Sequence, residues 1–218
     1  MKRNLYLVLD TETAGTLEEP LVYDIGFALV DKYGEVYRTW SFVVPEVFFG
    51  MPDAMQSAYY AEKIPRYWYD IEHGKRKVAR FFFIQSLIKE ICKTYNVKAI
   101  LAHNMRFDYN ALNNTTQVLS EGRKKYFLPY GVPLWCTLAM SRSLLTKRPT
   151  YQAWCKKNDF TLKNGAPRFT AEILYRFITD NLEFEEEHTG LADVLIEKDI
   201  FAYCCRQHKP MQRTYWKE

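Results

Sequence analysis

The sequence predicts an α/β protein with a mixed β-sheet flanked by helices. An unbroken apolar run, residues 5–9, is typical of a central strand that is buried on both faces. Two apolar segments, 25–30 and 35–44, follow it on either side of a turn at Gly34 and predict an antiparallel meander. A helical pattern and a second buried strand come next, and this order favours a right-handed crossover to a parallel neighbour.

The remaining elements are predicted from hydrophobic periodicity. Residues 78–95 carry apolar side chains at a spacing of three to four and predict an amphipathic helix whose apolar stripe is core. Residues 97–102 predict the second buried strand. Further helices are predicted over these segments: 105–119, 134–145, 151–158, 169–181 and 191–207.

Composition is that of an ordinary globular protein. The chain has 218 residues, of which 48% are hydrophobic and 26% charged, and its net charge of +4 permits a phosphate-bearing ligand without requiring one. Five cysteines form no spaced framework and no signal peptide is predicted, so we expect reduced thiols and a cytoplasmic location. No apolar stretch approaches the roughly 20 residues of a membrane span. Without a repeat or a low-complexity linker, residues 1–218 are predicted to form one domain.

An insertion around residues 45–80 is predicted to form short helices or loops over one side of the site. It is rich in proline and interleaves aromatic with basic side chains: Tyr59, Tyr60, Tyr67, Trp68 and Tyr69 with Lys63, Arg66, Lys75, Arg76, Lys77 and Arg80. This pattern suits single-stranded nucleic acid. A solvated insertion with partly buried aromatic side chains fits the sequence equally well.

Two carboxylates close the first strand. Because side chains alternate along a strand, Asp10 and Glu12 point to one face and Thr11 to the other. Two buried like charges are costly unless they bind metal, and two ions about 3.5–4 Å apart suit such a pair. The same spacing in Glu183-x-Glu185, Glu185-x-Glu187 and Glu197-x-Asp199 is typical of a solvated edge. The context of Asp10 and Glu12 differs, since they end an apolar strand and precede Gly15.

Two more acidic residues have informative surroundings. Asp108 follows the second buried strand at a helix start, where an acid can also simply favour the helix dipole. Asp193 lies in the first turns of the last predicted helix, five residues after His188. Taken alone, His188 is better interpreted as a surface loop histidine.

The order of these motifs is more specific than any one of them. Asp10-x-Glu12, then His103-Asn104-x-x-Phe107-Asp108, then His188-x-x-x-x-Asp193 resembles the DEDD exonuclease superfamily in its DEDDh (DnaQ-like) branch. The matching core covers roughly residues 4–44 and 97–206. A narrower likeness is to exonucleases of bacteriophages, in which case the location is the host cytoplasm. The resemblance implies a ribonuclease-H-like fold with a mixed five-stranded sheet.

The resemblance also implies roles for individual residues. Asp10, Glu12, Asp108 and Asp193 match the metal-ligating carboxylates, and His188 matches the general base. The branch without this histidine has a tyrosine where this chain has Thr189. Four residues match positions that hold the last nucleotide: Thr13, Ala14, Asn104 and Phe107. Gly190 replaces a frequent alanine, which we expect to loosen the loop without removing a ligand.

The implied activity is 3′→5′ exonucleolytic release of nucleoside monophosphates from single-stranded DNA or RNA by two-metal-ion hydrolysis. The oxygen ligands suit two Mg²⁺ or Mn²⁺ ions better than Zn²⁺. The implied partners are nucleic acid 3′ ends and a replication protein. Two alternatives stay open: a non-catalytic nucleic-acid-binding or polymerase-partner module on the same fold, and an endonuclease or resolvase.

Overall fold

A computed structural model describes residues 3–215 of the chain. Within this range one sheet has the strand order β4-β3-β2-β1-β5-β6. The strands are β1 (Leu5–Gly15), β2 (Pro20–Asp31), β3 (Val36–Val43), β4 (Lys77–Val78), β5 (Ile100–Ala102) and β6 (Leu134–Cys136). The helices are α1 (Pro45–Phe48), α2 (Pro52–Met55), α3 (Ile64–Glu72), α4 (Phe81–Thr94), α5 (Met105–Leu119), α6 (Thr137–Leu145), α7 (Pro149–Lys157), α8 (Ala171–Thr179) and α9 (Gly190–Arg206).

The sheet is mixed, as predicted. Strands β1, β2 and β3 form the antiparallel meander, and β5 lies parallel to β1 after the crossover through α4. Strand β6 continues the parallel part beside β5, and the short β4 lies parallel to β3 at the other edge. The described residues thus form six strands where five were predicted.

Two of the predicted helices began too early. The segment 134–145 was predicted as a helix, but its first three residues form β6 and pair with β5. The helix predicted from residue 78 begins at Phe81, because Lys77 and Val78 pair with Phe42 and Val43 as β4. In both cases pairing with a strand distant in sequence decides the local structure.

Strand β1 is buried on both faces, as its unbroken apolar sequence predicts. Leu7 and Leu9 belong to one hydrophobic core, and Tyr6 and Val8 to the other. The first core contains residues of α4, α5 and the insertion, and the second contains residues of α6 to α9. The polar end of β1 therefore follows directly on a segment that is packed between two layers.

The insertion contains short helices, as predicted: α1, α2, a 3₁₀ turn (Ala61–Lys63) and α3. Its aromatic side chains divide between the two interpretations. Tyr67 is fully buried, whereas Tyr59 is 70% exposed and Trp68 and Tyr69 are about half exposed. Across residues 3–215, no helix combines the length and the apolar character that a membrane crossing requires.

Candidate active site

A cavity of about 680 Å³ lies beside the second half of β1. Most of the predicted site residues line it: Asp10, Glu12, Thr13, Asn104, Phe107, Asp108, His188 and Asp193. Ala14 does not line it, since its side chain is packed in the hydrophobic core. Segments far apart in the sequence therefore converge on one cavity, in the way that the motif order predicts.

Three carboxylates form the tightest group in this cavity. One oxygen each from Asp10, Glu12 and Asp193 lies within 4.8 Å of the others, which is close enough to share a metal ion. Asp10 and Glu12 are brought together by strand alternation, and Asp193 comes from the first turns of α9. Among the described residues, Oδ1 of Asp193 is buried without a hydrogen-bond partner. An all-oxygen group with an unsatisfied buried atom fits a hard divalent cation such as Mg²⁺ or Mn²⁺.

Asp108, in the first turn of α5, is held by Thr11 of β1. The hydroxyl of Thr11 donates a hydrogen bond of 2.9 Å to Oδ1 of Asp108, which is 2% exposed. Asp108 lines the same cavity but does not belong to the group of three. Its predicted role as a fourth metal ligand stays a prediction.

His188 lines the cavity in a constrained backbone conformation. Its φ of 52° is in the left-handed region, which is uncommon outside glycine and often marks a functional position. Its ring stacks on Tyr60 of the insertion, with the centroids 4.1 Å apart and the planes 13° from parallel. Burial lowers the pKa of His188 and Lys63 lowers it further, while Glu172 and Glu62 oppose this shift. The net shift favours the neutral imidazole, the form that accepts a proton.

His103, from the second motif, has a structural role. Its Nε2 lies 2.8 Å from the carbonyl oxygen of Phe169 and its Nδ1 lies 2.9 Å from the hydroxyl of Thr137. A carbonyl only accepts, so Nε2 carries the proton and Nδ1 accepts from Thr137. Both ring nitrogens are occupied, and burial lowers the pKa of His103 to about 4.

A buried polar network joins the insertion to the first residue of α9. Asp24 on β2 is fully buried and accepts hydrogen bonds from the Tyr67 hydroxyl at 2.5 Å, from Arg76 Nη1 at 3.0 Å and from the Gly190 N–H at 3.3 Å. Burial raises the pKa of Asp24, and the Arg76 cation opposes this shift. The network connects the segment that stacks on His188 with the helix that carries Asp193.

The start of α9 packs directly on the backbone of β2. A Cβ added to Gly26 would lie 2.2 Å from the carbonyl carbon of Gly190, and one added to Gly190 would lie 2.6 Å from the Gly26 nitrogen. Gly26 pairs with Asp10 in the sheet. The expectation that Gly190 loosens the loop was wrong, because it instead permits the close approach that places Asp193 near Asp10.

Gly26→Ala is therefore expected to destabilise the fold by about 1–3 kcal/mol or more, since the added methyl overlaps backbone atoms. Displacement of α9 should also lower activity. Denaturant unfolding measures the change in the free energy of unfolding. Gly165→Ala is the control, because its Cβ meets no atom within 4 Å and costs only backbone strain. A Gly26→Ala protein as stable as the wild type would contradict this packing.

Crowding of acids in a buried site raises the pKa values of its carboxyl groups. Burial is the largest cause for each, and neighbouring carboxylates add to it for Glu12 and Asp193. The pKa rises to about 8 for Glu12, about 9 for Asp193, and about 7 for Asp108 and Glu186. Burial also raises the pKa of Asp10. A bound cation would reverse these shifts by favouring the ionised forms.

These shifts predict a pH dependence of stability in chelator. Between the ordinary carboxyl pKa near 4 and the raised values of about 7 to 9, the folded chain binds more protons than the unfolded chain. The free energy of unfolding should therefore be largest near pH 5 and fall as pH rises towards 9. Thermal melting in EDTA across this range measures it.

Two comparisons make this pH series specific. Saturating Mg²⁺ should reduce the fall, and so should Asp193→Asn, which removes one of the raised groups. A melting temperature in EDTA that rises from pH 5 to pH 9 would contradict the buried acidic cluster.

The sequence-based prediction missed several residues that line the cavity. Glu186 and Glu197 add carboxylates, and Arg142 and Arg168 add exposed cations. The α-helical spacing of four between Asp193 and Glu197 could have revealed Glu197. No sequence signal brings Arg142 on α6 or Arg168 before α8 to this place.

No family model matches the sequence, and no curated protein matches it either. Solved structures match the fold. One is the structure of a 3′-exonuclease, described as 3′-end specific recognition of histone mRNA stem-loop. It has 12% identity and a TM-score of 0.56, over 97% of this chain and 66% of that one. E. coli Exonuclease I in complex with a dT13 oligonucleotide has 16% identity and a TM-score of 0.55, over 92% of this chain and 41% of that one.

A zinc-bound form of an E. coli Exonuclease I complex with single-stranded DNA also matches, with 16% identity and a TM-score of 0.55 over 90% of this chain and 39% of that one. The chain thus spans about two-fifths of Exonuclease I. At these identities the likeness shows the fold alone, and it confirms the predicted α/β fold with a mixed sheet flanked by helices.

Proposed function

We propose that this protein is a metal-dependent 3′→5′ exonuclease that releases nucleoside monophosphates from single-stranded DNA or RNA. The observation that carries the proposal is the convergence of Asp10, Glu12 and Asp193 within 4.8 Å of one another, in a cavity shared with His188. The fold, and the nucleic acids named in the solved structures of that fold, support the same substrate class.

The metal site is proposed to be formed by Asp10, Glu12, Asp193 and Asp108. Bound divalent ions would supply the Lewis acid that activates water and stabilises the leaving 3′ oxygen. Mg²⁺ and Mn²⁺ suit the oxygen ligands, and four carboxylates can hold two such ions between them. The zinc-bound Exonuclease I structure makes Zn²⁺ a third ion to test.

The chain's own residues have separate tasks in this proposal. Neutral His188 takes a proton from the attacking water, and the stacked ring of Tyr60 fixes the orientation of the imidazole. Phe107 stacks on the last base, Asn104 lies beside it, and the backbone at Thr13 and Ala14 holds the sugar. Arg142 and Arg168 offer cations that can bind phosphates of the nucleic acid next to the last nucleotide.

Digestion of matched DNA and RNA oligomers that carry a label at either end tests this function. A 5′ label should remain on a ladder that shortens with time, while a 3′ label should leave at once as a mononucleotide. Chelator should stop both reactions. Comparison of the two sugars shows which nucleic acid is preferred.

A closed single-stranded circle separates the rival activities. The proposed exonuclease cannot begin on it, so cleavage of the circle would indicate an endonuclease. Binding of single strands without cleavage in Mg²⁺, Mn²⁺ or Zn²⁺ would indicate a non-catalytic binding module. The replication-protein partner and the bacteriophage origin stay predictions of the sequence resemblance.

A further inference from the structure

Glu197 is a buried carboxylate that faces the cavity from one turn beyond Asp193 on α9. Its side chain is only 2% exposed, and it lines the same cavity as Asp10. Within residues 3–215, its Oε2 atom is buried and has no hydrogen-bond partner. This position contradicts the expectation that Glu197-x-Asp199 is a solvated pair.

The two acids of that pair have different surroundings. Asp199 is 35% exposed and forms a 2.6 Å ion pair with Lys198. Glu197 has no such partner among the residues that the structure describes. The backbone N–H of His103 is the polar group that supports its carboxylate.

The charged neighbours of Glu197 are acids. Asp108 and Asp193 raise the pKa of Glu197. Among the neighbouring charges that raise the pKa of Asp10, Glu197 has the largest effect. A buried carboxylate without a cation is unfavourable, and more so beside other carboxylates. A positive charge in the cavity would satisfy both Glu197 and its neighbours.

We propose that Glu197 is a fifth carboxylate of the proposed divalent-metal site, and that its unpartnered Oε2 would contribute to holding a bound ion. This inference rests on the proposed function, because it assigns a further residue to the same metal site. The sequence motifs predict one metal ligand on α9, Asp193, and this inference adds a second.

Glu197→Gln tests the proposal through metal binding. Glutamine keeps the shape of the side chain and can still accept the hydrogen bond from the His103 N–H, but it removes the charge. Titration of the full-length protein with Mn²⁺, followed by calorimetry and by the electron paramagnetic resonance signal of free Mn²⁺, should show a dissociation constant raised about 10- to 100-fold. Unchanged Mn²⁺ affinity would overturn the proposal.

Three further variants make the titration specific. Asp193→Asn should weaken Mn²⁺ binding at least as strongly, and Glu185→Gln, which changes an exposed acid, should leave it unchanged. Glu197→Asp keeps the charge on a shorter side chain and should restore part of the affinity. If Glu197→Asp bound Mn²⁺ no better than Glu197→Gln, a ligand role through the carboxylate would be excluded.

Thermal melting in EDTA checks that each variant is folded. At pH 9 Glu197→Gln should melt at or above the wild-type temperature, because glutamine cannot ionise in the buried cluster. A lower melting temperature would indicate that Glu197 supports the fold instead, and would count against the proposal.

This test separates the inference from the proposed function, since Mn²⁺ binding needs no substrate. If Glu197→Gln weakens Mn²⁺ binding but the wild type shortens no nucleic acid, the inference holds and the exonuclease proposal fails. If the wild type degrades 3′ ends and Glu197→Gln binds Mn²⁺ normally, the inference alone fails.

Discussion

An Asp10→Ala protein should fold and bind single strands but should shorten them about a thousand-fold more slowly, or not measurably. Asp10 is part of the carboxylate group that we propose to hold the metal, so the substitution removes one of the proposed ligand oxygens. Release of a 3′ label in Mg²⁺ measures the rate. Asp108→Ala is expected to behave in the same way if Asp108 is a ligand.

Stability gives this prediction a second readout. At pH 9 in EDTA, where the crowded buried cluster ionises, removal of one acid relieves repulsion, so Asp10→Ala should melt no lower than the wild type. Asp53→Ala, which changes an exposed acid on α2, is the control and should keep full activity. Full activity of Asp10→Ala would remove the basis for the metal site.

His188→Ala should lower the rate about 100- to 10,000-fold and leave a slow metal-dependent remnant, because a general base contributes this much while the metal site persists. Single-turnover release of a 3′ label measures it. The lost base should also change the pH profile: the acidic limb that reports protonation of His188 should disappear.

His73→Ala is a close control for this variant. His73 also stacks on a tyrosine, Tyr69, with centroids 4.0 Å apart, but it lies exposed on the insertion and does not line the cavity. Its loss should not change the rate. A His188→Ala protein with an unchanged rate and pH profile would show that His188 is not the base.

The sequence was most informative along β1 and β2. The unbroken apolar run predicted burial on both faces, and its period of two correctly placed Asp10 and Glu12 together with Thr11 opposite. Asp193 could be placed only through the order of the motifs. Its position depends on the contact between Gly26 and Gly190, which no local pattern reveals.

Other features depend on contacts between distant segments. Strand β6 continues directly into α6, so one apolar segment contains both and its periodicity does not show the boundary. Strand β4 has two exposed residues and exists because β3 is beside it. The stacking of Tyr60 on His188 and the network of Asp24, Tyr67 and Arg76 join segments more than 40 residues apart.

Glu197 was missed for a different reason. Its spacing from Asp199 was compared with that of Asp10 and Glu12, although a period of two has no meaning on a helix. Spacing of four places Glu197 on the same face as Asp193, and this pattern was present in the sequence.

The central claim is that separate segments bring carboxylates to one divalent-metal site. Anomalous diffraction at the manganese edge, from a crystal of the full-length protein soaked in Mn²⁺, tests it most directly. We predict density for bound Mn²⁺ against the carboxylates of Asp10, Glu12 and Asp193. Manganese bound only elsewhere, with this cavity containing none, would contradict the account.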